Sequence, residues 1–176
     1  MRTLFSMMIV AALPVGAMAA PVGKLTVTST AFSTHQPIPP EYTCDGAQAS
    51  PPLAWSAVPN NARSVAILVE DPDAPGGAFT HWLVTGLAPE TQQLTVGAAL
   101  PAGATASKNG KGELGYRGPC PDSGQHRYHF HVYALETTIP APASKDDFLA
   151  SIKGHVLAEG ELIATYKKVA SPPKSR

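Results

Sequence analysis

Alternating apolar and polar positions along this chain predict several β-strands. In the segment 24–30, Leu25 and Val27 alternate with polar residues, which is typical of a strand with one buried face. The clearest strand is predicted at 127–135, where the even-numbered positions hold Tyr, Phe, Val and Ala and the odd-numbered positions include two histidines. Because both sets are largely apolar, we expect this strand in the middle of a sandwich.

Shorter apolar runs bounded by turn residues predict the remaining strands. Continuous runs at 64–69 and 79–87 indicate buried strands, and a short strand is expected at 53–56. Near the end of the chain, the segment 155–168 alternates in its second half. The Gly-rich stretch 96–118 is expected to be a long surface loop, and loops of this length often carry function.

One α-helix is signalled shortly before the last strand. Ser144 is placed to cap its N-terminus, with Asp147 three residues later as the capping-box partner, and Gly154 is placed to end it. The apolar stripe that would face the core consists of Phe148, Leu149 and Ile152.

Composition agrees with a loop-rich, mainly β protein that forms one domain. The chain has 18 Pro and 15 Gly among 176 residues, well above the usual combined share of about 12%. Lysine and arginine together number 13, as do aspartate and glutamate, and no basic run is present. This balance provides no field to attract nucleic acid or an acidic membrane, so a bound anion must be held by local geometry.

The N-terminus has the pattern of a secretory signal peptide. Arg2 precedes a short apolar run at 4–15, and Ala17-Met18-Ala19 supplies a small-x-small cleavage site. The run is shorter than the roughly 20 apolar residues that span a bilayer. We therefore expect residues 1–19 to be a signal peptide cleaved near Ala19, residues 20–176 to form a single domain, and the protein to be periplasmic or secreted.

Two cysteines, Cys44 and Cys120, lie in the part of the chain that would be exported. An even number of cysteines in an oxidising compartment favours one disulfide. Two buried free thiols or a pair of metal ligands are the alternatives, although neither has a supporting spacing such as C-x-x-C.

Two acidic residues and a histidine form the first group with candidate chemistry. Asp71 and Asp73 lie two residues apart in a stiff Asp-Pro-Asp-Ala-Pro segment after a buried strand, so their carboxylates are expected to point the same way. His81 lies in the next strand, one hairpin away, which favours an Asp–His pair. The alternatives are solvated aspartates in a proline-rich turn and a histidine whose hydrogen bonds are satisfied in the core.

A second group follows the Gly-rich loop. His126 and Tyr128 share one face at the start of the 127–135 strand. There an imidazole N–H and a phenol O–H can both donate hydrogen bonds to one oxygen-bearing group. Gly118 and Gly124 would allow backbone N–H groups to approach the same group.

Taken in order, these motifs resemble the phosphatidylethanolamine-binding protein (PEBP) family, in its bacterial Raf-kinase-inhibitor-like branch. The matching motifs are D-P-D-A-P at 71–75, H-W at 81–82, G-P-C-P at 118–121 and G-x-H-R-Y at 124–128. T-C-D-G at 43–46, S-P-P-L-A-W at 50–55 and A-T-Y at 164–166 match as well. The resemblance covers nearly all of the chain after the leader.

This resemblance implies a β-sandwich of two antiparallel sheets with a few peripheral helices, and a small pocket for phosphate-like anions and phospholipid head groups. Asp71 would orient and charge His81, while His126 and Tyr128 would donate to the anion from the opposite side. The full set of ligand-binding residues that it implies is Asp71, Asp73, His81, Pro119, His126 and Tyr128.

The resemblance also implies a Cys44–Cys120 disulfide that joins two pocket loops, as in exported members of the family. Two residues depart from the family pattern. Arg117 stands where small residues are commoner, which makes the pocket mouth more cationic. Asp122 replaces a usual second proline, and its negative charge offsets the positive charge that Arg117 adds.

Other classes of function are alternatives to anion binding. A hydrolase needs a nucleophile beside a base, and the sequence has no G-x-S-x-G elbow, so we expect no enzyme and no cofactor. A modulator of an extracytoplasmic protease or kinase, acting through the pocket rim, is the main alternative, but the sequence identifies no protein partner.

A metal site was the other alternative. His129 and His131 project from one strand face at a spacing that can bind Zn or Cu. His126 lies on the opposite face, so a site of three histidines from this strand is excluded. We therefore expect these rings to serve packing and hydrogen bonding, with no metal bound.

Overall fold

The computed structural model describes residues 21–168, so the predicted leader at 1–19 lies outside the described residues. Within this range the chain forms nine β-strands, one α-helix and one short 3-10 helix. The strands are β1 (Gly23–Lys24), β2 (Thr26–Thr28), β3 (Leu53–Ser56), β4 (Ser64–Asp71), β5 (Phe79–Leu87), β6 (Gln93–Leu94), β7 (Thr105–Ala106), β8 (His126–Leu135) and β9 (Val156–Tyr166). The α-helix α1 is Lys145–Ile152, and the 3-10 helix is Pro40–Tyr42.

The strands form two sheets that enclose the main core. The larger sheet has the order β1-β9-β8-β4-β5-β7 and the smaller one the order β2-β3-β6. Strand β8 lies between β9 and β4, and its even-numbered side chains from Tyr128 to Ala134 are fully buried. The smaller sheet contributes Leu53 and Trp55 to the same core. These features confirm a mainly β sandwich and a central position for the 127–135 strand.

Helix α1 covers the other face of the larger sheet. Ser144 caps it, since the Ser144 hydroxyl accepts a hydrogen bond from the Asp147 backbone N–H at 3.1 Å. Phe148 and Ile152 pack in a second core cluster with sheet residues such as Leu68. The predicted cap and most of the apolar stripe are therefore confirmed. Within the described range, no helix has the length and apolar character needed to cross a membrane.

Leu149 does not belong to the buried stripe, and its prediction was wrong. Its side chain is 39% exposed, whereas Phe148 and Ile152 are buried. Phe148 and Ile152 lie four residues apart and share the buried face of the helix, whereas Leu149 is turned about 100° from Phe148 around the helix axis.

The predicted first strand at 24–30 is also corrected, because the chain changes sheet within it. Strand β1 pairs in parallel with β9, while β2 pairs antiparallel with β3 in the other sheet. Leu25, between them, is buried and donates its N–H to the Glu159 carbonyl at 2.8 Å. Gly160 permits this crossing, since a Cβ at that position would lie 2.5 Å from the Leu25 carbonyl oxygen.

A disulfide joins Cys44 to Cys120, as the sequence predicted. The Cα atoms are 5.3 Å apart, and the bond links the loop after the 3-10 helix to the loop before β8. A backbone hydrogen bond from the Cys44 N–H to the Pro119 carbonyl, at 3.0 Å, runs beside it.

Candidate functional site

The end of β4, the start of β5 and the start of β8 surround a cavity of about 310 Å³. It brings together three of the predicted site residues, Asp71, His81 and His126. The residues that line it are Asp71, Ala74, Pro75, Phe79, His81, Lys111, Arg117, Gly118, Cys120, Pro121, Asp122 and His126. We call this space the anion cavity.

Asp71 and His126 form the pair at the centre of the anion cavity. Asp71 Oδ2 lies 2.7 Å from His126 Nδ1, and Asp71 Oδ1 accepts the Asp73 N–H at 2.9 Å. The Asp71 carboxylate is 4% exposed, so these contacts replace the water that it loses on burial. Because a carboxylate only accepts, Nδ1 of His126 carries its proton here, which leaves Nε2 as the second ring nitrogen.

His81 pairs with a backbone carbonyl, so the prediction that Asp71 orients it was wrong. His81 Nδ1 lies 2.7 Å from the Arg117 carbonyl oxygen, which fixes the proton on that nitrogen. Burial lowers the pKa of His81 from its ordinary value of 6.5, although the carbonyl and the charge of Asp71 act in the opposite direction. The ring is therefore uncharged at neutral pH rather than charged by Asp71.

The strand register explains why Asp71 contacts His126 and not His81. Asp71 lies opposite Phe79, at the far end of the β4–β5 ladder. Val69 pairs with Trp82 and Glu70 pairs with Thr80, so His81 is the extra residue of a β-bulge. Bulges change the direction in which a side chain points, and they are common beside binding sites.

Asp73 holds the edge of the site through Arg127. Asp73 Oδ2 accepts hydrogen bonds from the Arg127 backbone N–H and Nε, each at 2.9 Å, and Oδ1 accepts one from Nη2 at 2.7 Å. The guanidinium and this backbone N–H hold the pKa of Asp73 well below its ordinary range. Asp73 is not a lining residue of the anion cavity, but it fastens the Asp-Pro-Asp turn to the start of β8.

Tyr128 and Pro119 lie behind the cavity wall and do not line it. The Tyr128 ring packs edge-on against His81, with ring centroids 5.2 Å apart. Its hydroxyl is buried near Asp71, and burial together with the charge of Asp71 and hydrogen bonding to it raises the pKa of Tyr128 far above the ordinary value. Pro119 is buried between two lining residues, Gly118 and Cys120.

Sequence reasoning missed Lys111, which brings a positive charge to the cavity lining. It lies in the Gly-rich 96–118 loop that was expected to carry function. The loop also contains Lys108, and the sequence does not indicate which of the two lysines reaches the cavity. Arg117 and Asp122, the two departures from the family pattern, also line the cavity. Arg117 Nη1 pairs with Glu113 Oε2 at 2.9 Å on the surface, so part of its charge is offset.

Gly118 lets two backbone segments meet at the cavity wall. A Cβ at this position would lie 2.9 Å from both the Cα and the carbonyl carbon of Thr43, closer than real Cβ atoms approach backbone. The Cys44–Cys120 disulfide ties the same two segments together. The cavity wall is thus fixed by a close backbone contact and a covalent bond.

The lining offers positive side chains, ring nitrogens and two carboxylates. Among the lining residues there is no serine, threonine or free thiol, since Cys120 is disulfide-bonded. The arrangement can hold an anion.

Comparison with known proteins finds relatives that are similar in sequence and in structure. A UPF0098 protein of Methanothermobacter thermautotrophicus is 43% identical over 150 residues, covering 82% of this chain and 99% of the relative. A crystal structure of CT736 from Chlamydia trachomatis, described as a putative PEBP homolog, has a TM-score of 0.79 and 40% identity, covering 84% of this chain and 99% of that one. The structure of Escherichia coli YbcL, described as a new member of the mammalian PEBP family, has a TM-score of 0.77 and 32% identity, covering 84% and 100%.

The family model described as phosphatidylethanolamine-binding protein matches residues 28–167, which include the whole anion cavity. Together with the relatives, this match agrees with the resemblance seen in the motifs and in the sandwich. The chain belongs to the phosphatidylethanolamine-binding protein family.

Proposed function

We propose that this protein binds a small anionic ligand, phosphate or a phospholipid head group, in the anion cavity and outside the cytoplasm. The observation that carries the proposal is that one cavity collects two imidazoles, His81 and His126, together with Lys111 and Arg117. A volume of about 310 Å³ suits a head group rather than a large molecule. In this proposal the protein is a binding protein and not an enzyme.

The two histidines are arranged to face the ligand with the same nitrogen. In each ring Nδ1 is used within the protein, on Asp71 for His126 and on the Arg117 carbonyl for His81. Their Nε2 atoms are therefore left for a ligand, and a protonated ring donates from Nε2 to an anion oxygen.

The disulfide supports the proposal of export. Disulfides persist in the periplasm and outside the cell but are rare in the cytoplasm. A Cys44–Cys120 bond at the cavity wall, together with the signal-peptide pattern at 1–19, favours a periplasmic or secreted protein.

The first test is a titration of the purified protein, expressed from the full sequence, with phosphate and then with phosphoethanolamine. Saturable shifts of the His81 and His126 side-chain NMR signals are expected, because both rings line the anion cavity. His126→Gln is expected to weaken phosphate binding by about tenfold or more, since it removes a charge-assisted hydrogen bond.

The matched control for this titration is His155→Gln. His155 is an exposed histidine paired with Glu136 at 3.0 Å, and it does not line the anion cavity. Its replacement should leave phosphate binding unchanged. A folded protein with no shift at either cavity histidine would contradict the proposal. That result would instead favour contact with a protein partner at the rim of the cavity.

The pH dependence of sulfate binding is a second test, because sulfate keeps its charge through the histidine range. Among the charged groups that act on His81, Asp71 favours its protonation, while Arg117 and His126 oppose it. Since burial keeps the pKa of His81 below 6.5, the free ring gains its proton only at more acid pH, and a bound anion stabilises that form. Sulfate should therefore bind more tightly as the pH falls below 6.5, the ordinary pKa of histidine.

Calorimetry between about pH 5 and pH 8 measures this dependence. The increase in affinity at acid pH should be smaller in His81→Gln than in the parent protein. An affinity that stays constant across this range in the parent would mean that neutral donors hold the anion, and the charged-imidazole mechanism would be wrong.

A further inference from the structure

A second cluster of ligand side chains lies on the face of the larger sheet opposite the main core. His129 and His131 alternate along β8 on the same side as Tyr133, away from the buried even-numbered residues. Glu161 of β9 is directly paired with His131 across the ladder. The register therefore places a carboxylate beside two imidazoles.

The three side chains converge on one small space. Glu161 Oε1 lies 2.6 Å from His129 Nδ1 and 3.4 Å from His131 Nδ1. One donor atom from each of the three residues lies within 4.8 Å of the others. Ligand atoms at about 2.0–2.2 Å from a tetrahedral metal are about 3.3–3.6 Å apart. The Glu161–His131 distance already fits, the Glu161–His129 distance would have to widen, and a separation near 4.8 Å would have to shorten for all three to bind one ion.

A second carboxylate supports the cluster from β4. Glu70 Oε1 lies 3.5 Å from His131 Nε2, on the side of the ring away from Glu161, and Glu70 Oε2 accepts a hydrogen bond from Lys145 Nζ at 2.8 Å. Metal-bound histidines commonly have a carboxylate near their second nitrogen, which orients the ring. Glu70 is placed for that role toward His131.

In the described part of the chain, Glu161 is the residue with which the His129 ring forms a hydrogen bond. The Nε2 atom of His129 is buried and makes no hydrogen bond there. Its other nitrogen, Nδ1, pairs with Glu161. The rings of His129 and His131 are nearly parallel, at 29° with centroids 5.8 Å apart. Both rings therefore direct a nitrogen toward the same carboxylate.

The local charge and space also favour a cation. A cavity of about 520 Å³ adjoins the cluster and is lined by His131 and Glu161. The charged residues around the cluster are Glu70, Glu159, Glu161, Lys24 and Lys145. With three carboxylates and two ammonium groups, their sum is negative. The cavity leaves room for a water or another ligand in an open coordination position.

We propose that His129, His131 and Glu161 form a binding site for a divalent transition metal of the zinc type. Two imidazoles and one carboxylate with an open fourth position are a ligand set of Zn²⁺, whereas Mg²⁺ and Ca²⁺ prefer oxygen ligands. The proposal departs from the sequence expectation, which counted ligands on a single strand and found only two. It is independent of the anion cavity, which lies on the other face of β8.

The test is calorimetric titration of the metal-free protein, expressed from the full sequence, with Zn²⁺. One Zn²⁺ per chain is expected, and Co²⁺ in its place should give the visible absorption of a tetrahedral site. Glu161→Gln and His131→Gln should each lower Zn²⁺ affinity by at least about 100-fold, because even removal of an outer partner costs about 10–100-fold.

Two further variants distinguish this site from other histidines. His155→Gln removes an exposed histidine that also pairs with a glutamate, and it should leave Zn²⁺ affinity unchanged. His126→Gln tests whether the ion sits in the anion cavity instead. Thermal unfolding without metal checks that each variant is folded. The proposal is overturned if the parent binds no Zn²⁺, if folded Glu161→Gln and His131→Gln bind it as tightly as the parent, or if His126→Gln abolishes binding.

Discussion

Replacing both cysteines with serine is expected to lower the free energy of unfolding by roughly 4 kcal/mol. Cys44 and Cys120 are 76 residues apart in sequence, and closing a loop of this length strongly restricts the unfolded chain. The fold should still form, because the Cys44 N–H and the Pro119 carbonyl keep the two loops in contact at 3.0 Å. Urea denaturation of the double variant and of the parent protein measures the difference.

Reduction of the parent protein is the matched control, since it opens the same loop without changing the sequence. It should produce a loss similar to that of the double variant. Because Cys120 lines the anion cavity, phosphate affinity should also fall in both samples. A loss of less than about 1 kcal/mol in both would contradict the loop-closure account and would mean that the two loops remain associated in the unfolded chain.

The longer strands and the helix of this fold could be predicted, because apolar residues recur in them at the spacing of a strand or a helix. The prediction of a strand at 79–87 matches β5, and the predicted cap at Ser144 is present. The two-residue strands β6 and β7 could not be predicted, because two residues have no period. The change of sheet at Leu25 depends on the space above Gly160, which lies at the other end of the chain.

Three of the six predicted site residues line the anion cavity, but their pairing could not be predicted. Asp71, His81 and His126 were identified from motifs, and all three line one cavity. Proximity in sequence favoured Asp71 with His81, ten residues away, whereas the structure pairs Asp71 with His126, 55 residues away. That choice is made by the β4–β8 ladder and by the bulge at His81, both of which are properties of the assembled sheet.

The same limit applies to the cluster proposed to bind a metal. The H-x-H spacing of His129 and His131 is visible in the sequence, but the carboxylate that completes the set lies on another strand, 32 residues after His129. Only the β8–β9 register, which places Glu161 opposite His131, brings it to the pair. A search for ligands within single strands therefore misses sites that a sheet assembles across its ladders.

Replacing Phe148 with alanine is expected to lower the free energy of unfolding by about 3–5 kcal/mol. The side chain is fully buried and packs edge-on against Tyr133, with ring centroids 5.8 Å apart. Helix α1 has eight residues, too few to be stable alone in water, so its stability depends on this contact with the sheet. Urea denaturation measures the loss, and phosphate binding should persist while the variant is folded, because the anion cavity is elsewhere.

The neighbouring residue provides a matched control on the same helix. Leu149→Ala removes an apolar side chain of similar hydrophobicity from a position that is 39% exposed, and alanine favours helix formation. Its cost should be below about 1 kcal/mol. Equal losses for the two variants would contradict this account, because burial of the Phe148 ring would then contribute no more than a partly exposed side chain on the same helix. A loss confined to Phe148→Ala would show that burial of the Phe148 ring, and not the exposed face of the helix, stabilises its contact with the sheet.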